Sequence, residues 1–269
     1  VTVTNSTIAG NSAGFGGGLL NGGMLTVINS TLANNSATSD WGGGILNAGS
    51  LTAANTLVGA NTATHGPDLL NFGEIAAANY NVIQDGTDSD IADGVDGNQV
   101  GVAVMLDPAG LQDHGGATPT IAVLPGSPAL NAGKSELAVD PNGAPLVFDQ
   151  RGFGFPRFVG TSVDVGAWEA LNRPPTANDD AAMTVEDTAV RIAGLVNDTD
   201  PDGDALIVAL LGGESAPLHG TVISCQDGFL TYTPAANYFG PDAFAYQTCD
   251  PGGLCDVATV TITVLPVND

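Results

Sequence analysis

The feature that most limits the fold of this chain is a repeat of about 24 residues near its start. Thr2-Val3-Thr4-Asn5-Ser6-Thr7-Ile8 returns as Thr26-Val27-Ile28-Asn29-Ser30-Thr31-Leu32, and again as Thr52-Ala53-Ala54-Asn55-Thr56-Leu57-Val58. A weaker copy is Ala76-Ala77-Ala78-Asn79-Tyr80-Asn81-Val82. The matching asparagines, Asn5, Asn29, Asn55 and Asn79, are spaced 24, 26 and 24 apart. A second series, Leu20-Asn21-Gly22, Leu46-Asn47-Ala48 and Leu70-Asn71-Phe72, has spacings of 26 and 24. The triplets Gly16-Gly17-Gly18 and Gly42-Gly43-Gly44 share its phase. Two series on one period mean one supersecondary unit that stacks on copies of itself.

Each unit holds short apolar pieces separated by Gly and Asn, without helical periodicity. That is the pattern of one coil of a parallel β-helix, whose coils stack about 4.8 Å apart. A leucine-rich repeat has a similar length but needs an L-x-x-L-x-L-x-x-N spacing that is missing here. Asparagines in register should stack as ladders, with Asn5 and Asn29 pointing inward. Their sequons are therefore not read as glycosylated. Asp85, Asp88, Asp90, Asp93 and Asp96 interrupt the repeat, as a solvated insertion or a separate cation-binding loop.

Charge narrows the partners. Against 29 Asp+Glu stand 5 Lys+Arg, a formal net charge of -24. All the cations lie between Lys134 and Arg191. Nucleic acid needs clustered cations and is excluded as a partner. No apolar run is long enough for membrane insertion. Surplus carboxylates suit divalent cations, calcium above all, or simply solubility in a salty extracellular medium.

Residues 107–170 contain Asp113-His114-Gly115-Gly116-Ala117-Thr118-Pro119-Thr120, Leu124-Pro125-Gly126-Ser127-Pro128-Ala129-Leu130-Asn131-Ala132-Gly133, Asp149-Gln150-Arg151-Gly152 and Asp164-Val165-Gly166-Ala167-Trp168-Glu169. The stretch resembles the C-terminal segment of bacterial right-handed parallel β-helix surface proteins of the choice-of-anchor or polymorphic outer-membrane-protein-like kind. Asn131 stands where that family usually has Asp, and Trp168 where it usually has Phe. Physically the segment reads as an end cap, covering the last coil so that its apolar surface and strand edges do not stay open. Arg151 should anchor it by pairing with Asp149 or Asp164.

Asn172-Arg173-Pro174-Pro175 marks a stiff boundary. Beyond it, short alternating runs such as Phe229-Leu230-Thr231-Tyr232-Thr233 and Ala258-Thr259-Val260-Thr261-Ile262-Thr263-Val264 read as strands of a β-sandwich. Gln226-Asp227-Gly228 reads as a hairpin turn. Cys249 and Cys255 flank Pro251-Gly252-Gly253 and would meet across a second hairpin as a disulfide. That implies an oxidising compartment; the alternative is three buried thiols, Cys225 included.

Asp198-Thr199-Asp200-Pro201-Asp202-Gly203-Asp204 is the sharpest motif. It puts four carboxylates on one turn-forming loop. Calcium takes six to eight hard oxygens, and without a cation these like charges repel. The alternative is a simple acidic turn. An EF-hand is excluded, because its twelfth position would be Ala209. Together with Asn178-Asp179, Val185-Glu186-Asp187-Thr188, Tyr232-Thr233-Pro234 and Val267-Asn268-Asp269, the motif makes this region similar to the tandem cadherin-like repeats of bacterial adhesins. That resemblance implies an immunoglobulin-like sandwich, head-to-tail arrays, and calcium at the domain ends. Glu186 or Asp187, Asp250, Asn178 and Asp179 would then complete a ligand set with Asp198, Asp200, Asp202 and Asp204.

The expectation is an all-β chain: a right-handed parallel β-helix of about three to four coils with a C-terminal cap (1–171), a linker (172–177), and an Ig/cadherin-like β-sandwich (178–269). Catalysis finds little support. Residues 1–84 carry only Asp40, Asp68 and Glu74 as charges, and His65, His114 and His219 are isolated. The expected function is a non-catalytic, secreted or cell-surface adhesin or structural module. Its partners would be neighbouring repeats, other copies of the same protein, and glycans. The alternatives are a self-assembling filament subunit, since both termini fall within strand-like or repeat patterns, and a piece of a carbohydrate-active enzyme with catalytic coils elsewhere.

Overall fold

The computed structural model describes residues 1–225 and 228–267, which divide into two compact units, Val1–Leu171 and Asn172–Asp269. The expected turn at Gln226-Asp227 and the terminal Asn268-Asp269 lie outside the described residues. Both units are all-β, without α-helix among the described residues, and no helix is long and apolar enough to cross a membrane.

The first unit is a parallel β-solenoid of about three turns. One sheet stacks Thr2–Thr4, Met24–Ile28, Ser50–Ala54 and Glu74–Asn79. A second stacks Thr7–Ala9, Thr31–Ala33, Leu57–Gly59, Val82–Ile83 and Gln99–Val100. A third stacks Leu19–Asn21, Ile45–Asn47 and Leu69–Asn71. Strand alternation sends Leu25, Val27, Leu32, Ile45, Leu51, Val58, Leu69 and Ile83 into one interior core. The repeat thus stacks equivalent apolar residues of successive coils, as Leu25 on Leu51 and Leu32 on Val58.

The asparagines behave differently from expectation. Asn5, Asn29 and Asn55 occupy corners with φ of 51°, 45° and 47°. Asn tolerates this left-handed region better than most residues. Their amides do not form a ladder. Asn5 donates to the Phe148 carbonyl, while Asn55 donates to the carbonyl of Lys134 and accepts from its N–H. Asn79 is not the fourth corner. A register shift between Ile75 and Ala77 pairs Asn79 with Ala54 and leaves Tyr80 at the corner, with φ of 53°. One extra residue in a β-bulge moves everything after it by one place.

The amide ladders lie elsewhere. Asn21 donates to Asn47 at 2.6 Å, Asn47 to Asn71 at 2.7 Å, and Asn71 to Asp90 at 2.9 Å. Asn11 donates to Asn35 at 3.0 Å, Asn35 to Asn61 at 2.9 Å, and Asn61 to Asp68 at 2.9 Å. Each NH₂ points toward the next coil, and each ladder ends on a carboxylate. A carboxylate only accepts, so it can close such a series without needing a further partner.

The acidic stretch after Ile83 is a shortened coil. Asn71 N–H bonds the Asp88 carbonyl as a ladder partner, Ile91 enters the interior core, and Asn98 accepts from Asn81. The 102–171 segment, expected as an end cap, lies instead along the flank of the stack. Val104, Val123, Ala129 and Val165 pack on the outward-facing Leu57 and Val82 of the second sheet. Thr7 bonds Gln150, Thr31 accepts from the Ala167 N–H, and Gln99 reaches the Pro128 carbonyl.

This cover is held by buried ions. Arg151 grips Asp149 at 2.9 and 2.5 Å, between the rings of Phe155 and Trp168. Gly116 passes so close to Arg151 that a Cβ there would meet its Cα at 2.6 Å. Arg157, fully buried, donates to the Asp164 carbonyl and lies 3.5 Å from Glu169. Glu169 accepts from the N–H groups of Asp164 and Val159.

The second unit is a two-sheet sandwich. Asp180–Val185, Cys255–Leu265, Gly240–Cys249 and Ile207–Leu210 form one sheet; Val190–Ile192, Leu230–Pro234 and Gly220–Ser224 form the other. Alternate residues Ala258, Val260, Ile262 and Val264 meet Leu230, Tyr232, Phe244 and Tyr246 in the core. Cys249 and Cys255 pair across their hairpin and are disulfide-bonded, while Cys225 is a half-buried free thiol.

Candidate metal centre

The acidic residues expected as ligands in the second unit stand at separate places. Asp198, Asp200, Asp202, Asp204 and Asp250 belong to one. Glu186 and Asp187 belong to the other: Glu186 accepts from the Val267 N–H at 2.5 Å, and Asp187 from the Asn237 N–H. The strand Asp180–Val185 lies between the two places, and six extended residues span about 20 Å. Glu186 and Asp187 therefore cannot share an ion with the loop.

Within the loop the carboxylates have different tasks. Asp198 is buried and structural. It accepts from the Asn178 N–H at 2.7 Å and Thr248 Oγ1 at 2.5 Å, with Tyr246 Oη at 3.3 Å. Asp179 accepts from the Thr259 N–H, and the Asn178 amide donates to the Asn197 carbonyl. These three brace the sandwich edge. Asp202 takes Arg173 Nε at 2.8 Å, together with the Arg173 backbone N–H. Asp250, almost fully buried, accepts from the Leu254 N–H and the Asn172 amide. The stretch expected as a linker is thus bonded into this unit at Asn172, Arg173 and Thr176, the last bridging to Thr199.

Asp200 is the exception. Its Oδ1 accepts from the N–H groups of Asp202 and Asp204, while its buried Oδ2 has no hydrogen-bond partner. Burial pushes the neighbouring Asp204 carboxyl above its ordinary range, and the charges of Asp200, Asp202 and Asp250 add to that push. The chemistry of this set, four carboxylates with one buried oxygen unpartnered, suits a hard cation. Its spacing does not yet make a cage: among the described residues no group of three or more His, Cys, Asp or Glu converges enough to hold a metal. Arg173 supplies one positive charge to the cluster. Sequence reading passed over it, because it lies in the Pro-rich stretch.

Residues 172–263 match the bacterial Ig domain family. Over 92 residues the chain is 37% identical to Protein GAMETE EXPRESSED 2 of Arabidopsis thaliana; the match covers 34% of this chain and 9% of that protein. Among solved structures, a nucleoside hydrolase-related hypothetical protein from Saccharophagus degradans, described as associated with carbohydrate metabolism, aligns with a TM-score of 0.27 and 17% identity, over 35% of this chain and 26% of its own. An endo-fucoidan hydrolase of glycoside hydrolase family 107 aligns with the same TM-score and 19% identity, over 35% of this chain and 14% of its own. The chain thus spans only a small part of each relative, and structural likenesses this slight carry no argument. The sandwich topology and the family match agree, and the second unit is a bacterial Ig-like domain.

Proposed function

We propose that the chain is a non-catalytic structural or adhesive module of a secreted or cell-surface protein, whose Ig-like domain is rigidified by calcium at the Asp200–Asp204 loop. Bacterial Ig domains are typical of extracellular proteins, and the disulfide fits an oxidising compartment. The resemblance of residues 107–170 to choice-of-anchor-type segments supports the same reading. That stretch supplies the flank cover, with Arg151 and Asp149, and Arg157 and Glu169, engaged with one another inside it.

The observation that carries the calcium reading is the buried, unpartnered Oδ2 of Asp200 beside Asp204, whose carboxyl is crowded by three like charges. A divalent cation would relieve both costs. Asp200, Asp202, Asp204 and Asp250 are the residues that would hold it, by a small closing of the loop. Calorimetry with calcium and with chelator tests this. At a hundredfold excess over Kd, calcium should stabilise the Ig-like unit by about 2.7 kcal/mol, and Asp200→Asn should abolish the shift. An unchanged melting temperature for that unit would refute the claim.

A further inference from the structure

We infer that the solenoid carries a binding platform for a neutral oligosaccharide, built on the corner that holds Trp41. Phe15, Trp41 and His65 stand one per coil, each just before a glycine with positive φ: Gly16, Gly42 and Gly66 at 58°, 66° and 51°. Parallel pairing sets Phe15 beside Trp41 and Trp41 beside His65. The ring centroids are 6.3 and 6.4 Å apart, and Phe72 adds a fourth ring 5.3 Å from Trp41. Phe15 is 53% exposed, Trp41 42% and Phe72 59%. Three large rings held together in water, while the interior core is filled by aliphatic residues, form a surface suited to contact.

Beside the rings lies a cavity of about 350 Å³, bordered by Trp41, His65, Asn71, Phe72, Asp88 and Asp90. That is within the size range of small-ligand sites. Its rim is polar. Asp90 takes the Asn71 amide through Oδ2, and His65 Nδ1 is 3.9 Å from Asp88, both half-exposed. A sugar ring has an apolar C–H face edged by hydroxyls. Aromatic faces match the first, and carboxylate, amide and imidazole groups match the second. Charge selects among sugars. Asp88 and Asp90 border the cavity, Asp40 bonds Thr64 next to His65, and no Lys or Arg is among the residues that line it. A uronate or sulfated chain would find repulsion without a counter-charge. The row follows the coil axis for about 10 Å, two coil spacings, so the ligand is a short stretch of an extended neutral glycan.

The inference supplies a ligand for the surface-module reading, and rests on that reading only in placing the glycan outside the cell. Its test is independent of calcium. The full chain, with Trp168→Phe so that Trp41 is the single tryptophan, is titrated with cellohexaose, xylohexaose, laminarihexaose and chitohexaose. Trp41 fluorescence and calorimetry provide the readouts. At least one should bind saturably, and Trp41→Ala and Phe72→Ala should each weaken it by about tenfold or more while circular dichroism stays unchanged. Should Trp41→Ala fail to fold, Phe72→Ala and Trp41→Phe decide. Absence of binding by all four, affinity unchanged in these variants, or tighter binding of hexagalacturonate would overturn the inference. So would a dimer in sedimentation that Phe72→Ala dissolves, since the patch would then belong to a second copy.

Discussion

In the solenoid, two series of asparagine amides are held by their own counterparts one coil away, Asn21 by Asn47 and Asn35 by Asn61. In the Ig-like unit they are held by unlike groups from distant strands, as Asp198 is by Thr248, Tyr246 and the Asn178 N–H. The difference follows from topology. Stacked coils bring position i beside position i plus one repeat, so a single good choice recurs. A two-sheet sandwich brings together residues with no such relation, and each polar group needs a separate solution. The buried charged groups of the first unit accordingly stand at Asp68, which ends a ladder, and in the flank cover.

The cover offers the largest break in that comparison. Glu169→Ala takes from the buried Arg157 the carboxyl group 3.5 Å away and from the Val159 and Asp164 N–H groups their acceptor. We expect the first unit to lose about 3–5 kcal/mol, as when a buried charge loses its partner, read by differential scanning calorimetry, which follows both units. The second unit should keep its own transition. A single shared transition moving as a whole would show that the two units do not differ in the way described.

Breaking a ladder should cost less. Asn47→Ala removes an acceptor from Asn21 and a donor to Asn71, leaving buried amide groups unmatched. The expected loss is about 1–3 kcal/mol, measured by denaturant titration. A negligible change would mean that repetition stabilises the stack through backbone and packing alone.

A pH dependence offers a further test of the ladder ends. Burial raises the Asp68 carboxyl from 3.8 to about 6, against the opposing pull of Asn61 and the N–H groups of Asp85 and Asn61. The folded state thus binds this proton more tightly than the unfolded chain. The associated stability is fully present below pH 3.8 and is lost as pH rises through about 6. Carboxyl NMR should find this titration near 6, and Asp68→Asn should remove its part of the slope. A normal Asp68 titration would return the ladder terminus to an ordinary surface acid.

Much of this was legible in the sequence. The repeat specified a stacked β fold because only self-stacking makes one spacing recur. The Leu-Asn series marked a true ladder, and the Cys249–Cys255 spacing marked a hairpin. The aromatic row was legible too: Phe15, Trp41 and His65 keep the spacings of 26 and 24 found in the other series. It was missed because the differing residue types hid the shared phase. The Asp198–Asp204 motif was equally plain, yet its even appearance concealed that Asp198 is a brace, Asp202 an Arg173 partner, and Asp200 the one with an unpartnered oxygen.

By itself, then, the sequence determined the period, the strand faces, the two-unit division and the chemical type of each cluster, because these depend on residues near one another along the chain. Only the tertiary structure decided what depends on contacts across it. A one-residue bulge moved the fourth corner to Tyr80. The cover lies along the flank because Leu57 and Val82 leave an apolar outer face there. Glu186 and Asp187 fall at the far end of a strand from the loop they were expected to join. Register and distance are set by packing, and no local pattern encodes them.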